Sequence, residues 1–225
     1  MIFLNVDLLR NKSSNITKLL FYTKTKLQIE KMTDLNLDVL YFEKGGPHNT
    51  DKALEIAKKY VEQFGIKEIV IASTTGMTAE KAKNIFDLKK YKLIIVTHSY
   101  FFGGPDKRQE FPEELMKDLR KEGVIIFSAT HAFGSVERSL RMSLKQWAPV
   151  EIMAKYLRVN FSQGTKVCME IATMVADAGL ISNLEDDIIC IGGTGRGADT
   201  VCLIKPMTTS LFHQLRVKAI LAKPL

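Results

Sequence analysis

Cysteine is scarce: Cys168, Cys190 and Cys202 are the only three in 225 residues. They are odd in number, far apart and without a CxxC pair, so they read as reduced core residues rather than as a disulfide framework or metal site. No stretch of about 18 apolar residues runs uninterrupted, so no transmembrane helix is indicated. The opening MIFLNVDLLRNKSSNITK puts its short apolar stretch ahead of its basic residues, the reverse of a secretory signal. A cytoplasmic protein is the expectation. Secreted, collagen-like and disordered classes are excluded, since 46% of the residues are hydrophobic and 25% charged. A chain of this length buries a sizeable core without staples.

The formal charge of +7 is unevenly spread. Residues 1–31 hold six basic residues against Asp7 and Glu30, a net +4, and the remaining residues carry only +3. A nucleic-acid-binding face requires a dense basic stripe on the folded body, which this distribution argues against. Residues 1–31 also lack Gly and Pro and show no clear helical or strand period. Two readings stand for the segment 1–36: a weakly ordered extension, or a stretch preceding a true start at Met32.

From residue 37 onward the pattern is regular. Strands are predicted at Asp38–Phe42, Glu68–Ala72, Lys92–Thr97 and Val124–Ser128. Helices fall between them: one capped by Asn49 or Thr50 and closed by Gly65, one over Thr78–Asp87, and one from Pro112 to the stop at Gly123. Strands alternating with helices predict a three-layer α/β domain with a mostly parallel sheet. Ser135–Arg158 reads as two short helices broken before Pro149, and Thr165–Ala178 as a helix apolar nearly all round. Asp187–Ile191, Thr200–Lys205 and Leu215–Ala222 read as strands with no helix between them, an antiparallel C-terminal edge.

Ligands of open parallel sheets bind at the carboxyl ends of the strands. Four loops converge there: Ser73, Thr74, Thr75, Gly76, Met77 and Thr78; then Thr97, His98, Ser99 and Tyr100; then Ser128 to Ala132, with His131; and then Gly192, Gly193, Thr194, Gly195, Arg196 and Gly197. The first loop joins a strand to a helix, so free amides, the positive helix end and three hydroxyls suit a phosphate. At roughly 1.5–3 kcal/mol for each charge-assisted hydrogen bond, four or five suffice for micromolar binding. The run Gly193–Ala198 fits a G-x-G-x-x-A fingerprint, but it leads into a strand where a dinucleotide fold needs a helix. An anion nest with Arg196 as a mobile cation, or a plain hairpin turn, are the readings that remain.

The run IVIASTTGMTA (Ile69–Ala79), with LIIVT (Leu93–Thr97) after the next helix, resembles the C-terminal α/β domain of pyruvate kinase. The resemblance implies that Ser73, Thr75, Gly76 and Thr78 match the loop that holds a phosphate of the allosteric sugar bisphosphate in that family. Met77 stands where arginine is often found, which argues against sugar-bisphosphate specificity. The phosphoryl-transfer barrel of that enzyme is absent, so kinase activity is not implied. A stand-alone group related to this domain is closer still, over roughly Val39 to Pro224. The similar stretches are YFEKGGPHNT (Tyr41–Thr50), APVEIMAKYLR (Ala148–Arg158), QGTKVCMEIATMVADAGLI (Gln163–Ile181) and IGGTGRGADT (Ile191–Thr200). This resemblance implies a pyruvate-kinase-C-terminal-like fold and binding of flavin mononucleotide at the rim, and its start near residue 39 favours Met32 as the first native residue.

The expected cofactor-binding set is therefore Ser73, Thr74, Thr75, Gly76, Thr78, His98, His131, Gly192, Gly193, Thr194, Gly195, Asp199 and Thr200. His98 and His131 are read as acid/base groups, as flavin hydrogen-bond partners, or as loop caps. Asp199 would meet a ribityl hydroxyl or brace its turn. Glu170, on the apolar helix, must be paired, hydrogen-bonded or protonated, with Lys166 one turn earlier as the obvious partner. Phe101 and Phe102 begin a possible lid, and Trp147 with this pair would pack or meet another subunit in a homo-oligomer. The alternative to a flavoprotein is a non-catalytic sensor for a nucleotide or sugar phosphate.

Overall fold

The computed structural model describes residues 34–225, and the compact unit Asp38–Leu225 holds all the elements below. The expectations for residues 1–33, including a start at Met32, lie outside the described residues. Seven strands form one sheet: β1 (Leu40–Phe42), β2 (Glu68–Ala72), β3 (Lys92–His98), β4 (Ile125–Ala129), β5 (Ile188–Gly192), β6 (Thr200–Lys205) and β7 (Arg216–Pro224). Six α-helices accompany them: α1 (Thr50–Phe64), α2 (Met77–Ile85), α3 (Glu113–Lys121), α4 (Val136–Leu144), α5 (Pro149–Asn160) and α6 (Gln163–Asp177). The strand order is β1-β7-β6-β5-β2-β3-β4.

β5, β2, β3 and β4 are parallel, and β6 runs against both its neighbours. The antiparallel addition is thus present, with β7 and a parallel β1 outboard of β6. The central strands explain their own composition. Ile69, Val70 and Ile71 of β2 and Ile188 to Ile191 of β5 are fully buried, because helices cover both faces of a parallel sheet. Alternate residues divide between the layers. Val70, Ile94, Cys190 and Cys202 pack with Cys168, Ile171 and Val175 of α6. The intervening residues point the other way, to the face where α1 lies against β5, β6 and β7. All three cysteines are free and buried, and burial raises the Cys168 and Cys190 thiols well above their ordinary value.

Two local details bear on the site. Asn49 occupies the N-cap position of α1 but its side chain makes no capping bond; its Nδ2 donates to the Lys44 carbonyl at 2.7 Å. Thr50 Oγ1 instead donates to the Pro47 carbonyl and accepts from the Ala198 amide, tying the start of α1 to the glycine loop after β5. The second concerns α6, which approaches β6 at a glycine. A Cβ on Gly164 would sit 2.1 Å from Thr200 Oγ1 and 2.4 Å from its Cβ. Gly164→Ala is therefore expected to cost about 1–3 kcal/mol through overpacking, read as a lowered urea midpoint; an unchanged midpoint would contradict this packing.

Candidate functional site

A cavity of about 400 Å³ opens beyond the carboxyl ends of β2, β3 and β5, within the roughly 300–1,000 Å³ common for small-molecule sites. Ser73 and Thr74 reach it from the β2–α2 turn, Thr97 and His98 from β3, and His131, Phe133 and Gly134 from the loop after β4. Helices supply Arg138 from α4, Arg158 from α5, and Lys166 and Glu170 from α6. Gly193, Gly195, Arg196 and Gly197 close the wall from the β5–β6 loop.

Six of the thirteen expected residues thus meet at one cavity: Ser73, Thr74, His98, His131, Gly193 and Gly195. The other seven lie outside its wall. Thr78 is buried, and Gly76 turns at φ 91° with its Cβ position 2.5 Å from Leu115, so this half of the loop packs on the α3 side. Ser73 Oγ accepts from the Ala79 amide at 3.4 Å, a helix-start contact. The amides of residues 74–78 donate to no acceptor among the described residues. Asp199 is fully buried and braces the turn: Oδ2 accepts from the Gly46 and Thr194 amides and Oδ1 from Thr200 Oγ1, which leaves no reach to a ribityl chain. Thr200 is held in the same network beside Ser162, and Gly192 lies against the Gly164 carbonyl and Val167. Arg196 is not a loose cation, because its Nη2 meets Glu110 at 2.6 Å.

The histidines form the centre of the wall. His98 Nδ1 and His131 Nε2 are 2.6 Å apart, Thr74 Oγ1 lies 3.3 Å from His98 Nε2, and His131 Nδ1 lies 3.3 Å from Glu170 Oε2. Phe102 stacks on His98 at 4.2 Å between centroids and covers His131 as well. Glu170 also accepts from the Phe133 amide at 2.8 Å and from Lys166 Nζ at 2.5 Å. Burial alone would raise its carboxyl, but the His131 hydrogen bond and the Lys166 charge outweigh that and hold it at about 2. Burial lowers Lys166 from the ordinary lysine value, opposed by Glu170. Burial, seconded by His131, brings His98 down to about 4, against the opposing pull of Glu110 and Glu170.

With both imidazoles neutral, these contacts give one proton arrangement. An ionised Glu170 only accepts, so the ring nitrogen facing it, His131 Nδ1, carries a hydrogen. In the neutral ring His131 Nε2 is then an acceptor, and the hydrogen in the contact between the imidazoles belongs to His98 Nδ1. His98 Nε2 is left with a lone pair, and it accepts from the Thr74 hydroxyl. The chain Thr74–His98–His131–Glu170 thus has one direction, with a neutral base at its cavity end.

Several members of this site are not singled out by sequence reasoning. Arg138 and Arg158 sit on helices whose periodicity does not say which face looks inward. Neither makes an ion pair among the described residues, and Arg138 lies over the Phe102 ring at 5.4 Å. Glu170 and Lys166 do signal themselves, as charges within an apolar helix, but the contact to His131 does not. Among the described residues no group of three His, Cys, Asp or Glu is placed to hold a metal ion, and no helix is long and apolar enough to cross a membrane. No model of a known protein family matches the chain.

Proposed function

We propose that this protein binds a small phosphorylated ligand in the cavity, with flavin mononucleotide as the expected occupant. One observation carries the reading: Arg138 and Arg158 face a cavity of about 400 Å³ without a carboxylate partner among the described residues. Two guanidiniums of this kind suit a phosphate dianion, which they engage by paired, charge-assisted hydrogen bonds. The near-parallel rings of His98, His131 and Phe102 offer a flat aromatic wall to a planar ring system. Thr74 and the glycine loop supply polar contacts between these ends. The resemblance to stand-alone relatives of the pyruvate kinase C-terminal domain supports the same ligand and the same fold family. Bound there, a flavin would supply hydride or electron transfer, while the chain's own residues orient it and present His98 beside it.

The purified protein is expected to be yellow, or to quench added flavin mononucleotide fluorescence saturably. Replacing both Arg138 and Arg158 by Gln should weaken binding at least tenfold, because each lost charged hydrogen bond is worth about 1.5–3 kcal/mol. A colourless protein with no saturable fluorescence change refutes the flavin assignment. Failure of inorganic phosphate to protect the cavity from chemical modification refutes the anion site as a whole.

A further inference from the structure

The histidine chain is equipped for more than ligand binding, and its chemistry is independent of the flavin reading. Thr74 stands on the turn between a central parallel strand and the following helix, where its hydroxyl faces the cavity. Its Oγ1 is in contact with His98, His98 is in contact with His131, and His131 is held by a buried carboxylate. A hydroxyl beside a base that a third group orients is the arrangement of an activated nucleophile. The amide of Thr75, which comes directly after Thr74, has no acceptor among the described residues, while the Thr75 side chain and Gly76 lie outside the cavity wall. An amide next in the chain to a nucleophile on a strand-to-helix turn is a standard donor to a developing oxyanion.

We propose that Thr74 is the nucleophile, and His98 the general base, of an acyl-transfer site for small carboxylic esters that carry a second, anionic group for Arg138 and Arg158. Thr74 Oγ1 forms a bond to the ester carbonyl carbon as its proton passes to His98 Nε2. The Nδ1 proton of His98 moves on to His131 Nε2, so the positive charge arrives on His131, beside the Glu170 carboxylate. Collapse of the tetrahedral adduct breaks the bond to the alcohol, and the proton returns through His98 to that oxygen. Water, deprotonated along the same chain, then attacks the acyl-threonine, releasing the carboxylic acid and restoring the hydroxyl. Ester and water are consumed and acid and alcohol formed, with no change of oxidation state. Thr74 and His98 are catalytic residues in this scheme; His131 and Glu170 are positioning residues.

The test uses 4-nitrophenyl hemisuccinate, with 4-nitrophenyl acetate as its neutral counterpart, on the full chain. A burst of nitrophenolate stoichiometric with protein is expected, with a succinyl adduct on the peptide that contains Thr74. Thr74→Val abolishes burst and adduct, while Thr74→Ser, which keeps a hydroxyl, rescues both. His98→Gln slows acylation by about 10²–10⁴-fold. Glu170→Gln alters the pH profile of acylation, a readout that a purely structural role would not move. Arg158→Gln raises KM for the hemisuccinate more than KM for the acetate. Absence of a burst, an adduct on Lys166 or another residue, or an undiminished burst in Thr74→Val overturns the proposal. A protein that binds flavin and is never acylated loses this inference and keeps the binding reading; one that is acylated and ignores flavin does the reverse.

Discussion

Glu170→Ala is expected to lower the stability of the fold by about 3–5 kcal/mol, the usual cost of stranding one partner of a buried ion pair. Glu170 and Lys166 have side chains only 2% and 4% exposed, and the carboxylate satisfies Lys166 Nζ, the Phe133 amide and His131 Nδ1 together. Its removal leaves a buried ammonium and a backbone donor without their acceptor at the inner wall of the cavity. Urea unfolding measures the loss, and a change below about 1 kcal/mol would mean that Lys166 finds another acceptor. The double replacement Lys166→Met with Glu170→Leu should recover most of the stability, since a buried pair exchanged for apolar residues of similar size is often neutral. It would not recover the orientation of His131.

Acid should erode stability over a window that the same groups define. His98 has a folded value of about 4 against an ordinary 6.5, so between these pH values the unfolded chain binds more protons and stability falls as pH falls. Glu170 has a folded value of about 2 against an ordinary 4.5, so its contribution is complete above 4.5 and is lost as pH falls towards 2. With each tenfold difference in proton affinity worth about 1.4 kcal/mol, the Glu170 share is roughly 3 kcal/mol. The charged and titratable groups around His98 are His131, Glu110, Glu170 and Lys166, and protonating the ring places a cation against His131 and near Lys166. The thermal midpoint should therefore decline from about pH 6.5 downward. Glu170→Gln removes the lower part of that decline, so variant and parent converge near pH 2; His98→Gln removes the upper part. A midpoint constant from pH 7 to pH 3 would contradict both assignments.

Strand and helix placement was largely open to sequence reasoning. EIVIA reads as a buried parallel strand because nothing in it alternates, and Glu68–Ala72 is that strand. The glycine run fits a nucleotide fingerprint, yet β-prone residues come after it, and Thr200–Lys205 is a strand. The two histidines were legible as rim residues, since each lies just past a predicted strand. Their mutual contact was not, because His98 and His131 lie on different segments and their distance depends on the register of β3 and β4. Asp199 could be read as a ligand or as a brace from its position alone, and burial against Gly46 and Thr194 made it a brace. Thr75 and Thr78 share the composition of Ser73 and Thr74, but the turn at Gly76 carries that half of the loop away from the cavity.

What the residues alone determined is the layered α/β architecture and the rim where chemistry gathers, because period, capping and apolar runs act over a few neighbouring positions. Tertiary packing decided which rim groups touch: it joined Thr74, His98, His131 and Glu170 into one chain and brought Arg138 and Arg158 to the cavity wall. Such contacts bridge segments tens of residues apart, and hydrogen bonding at about 3 Å depends on how layers settle against one another rather than on any local preference.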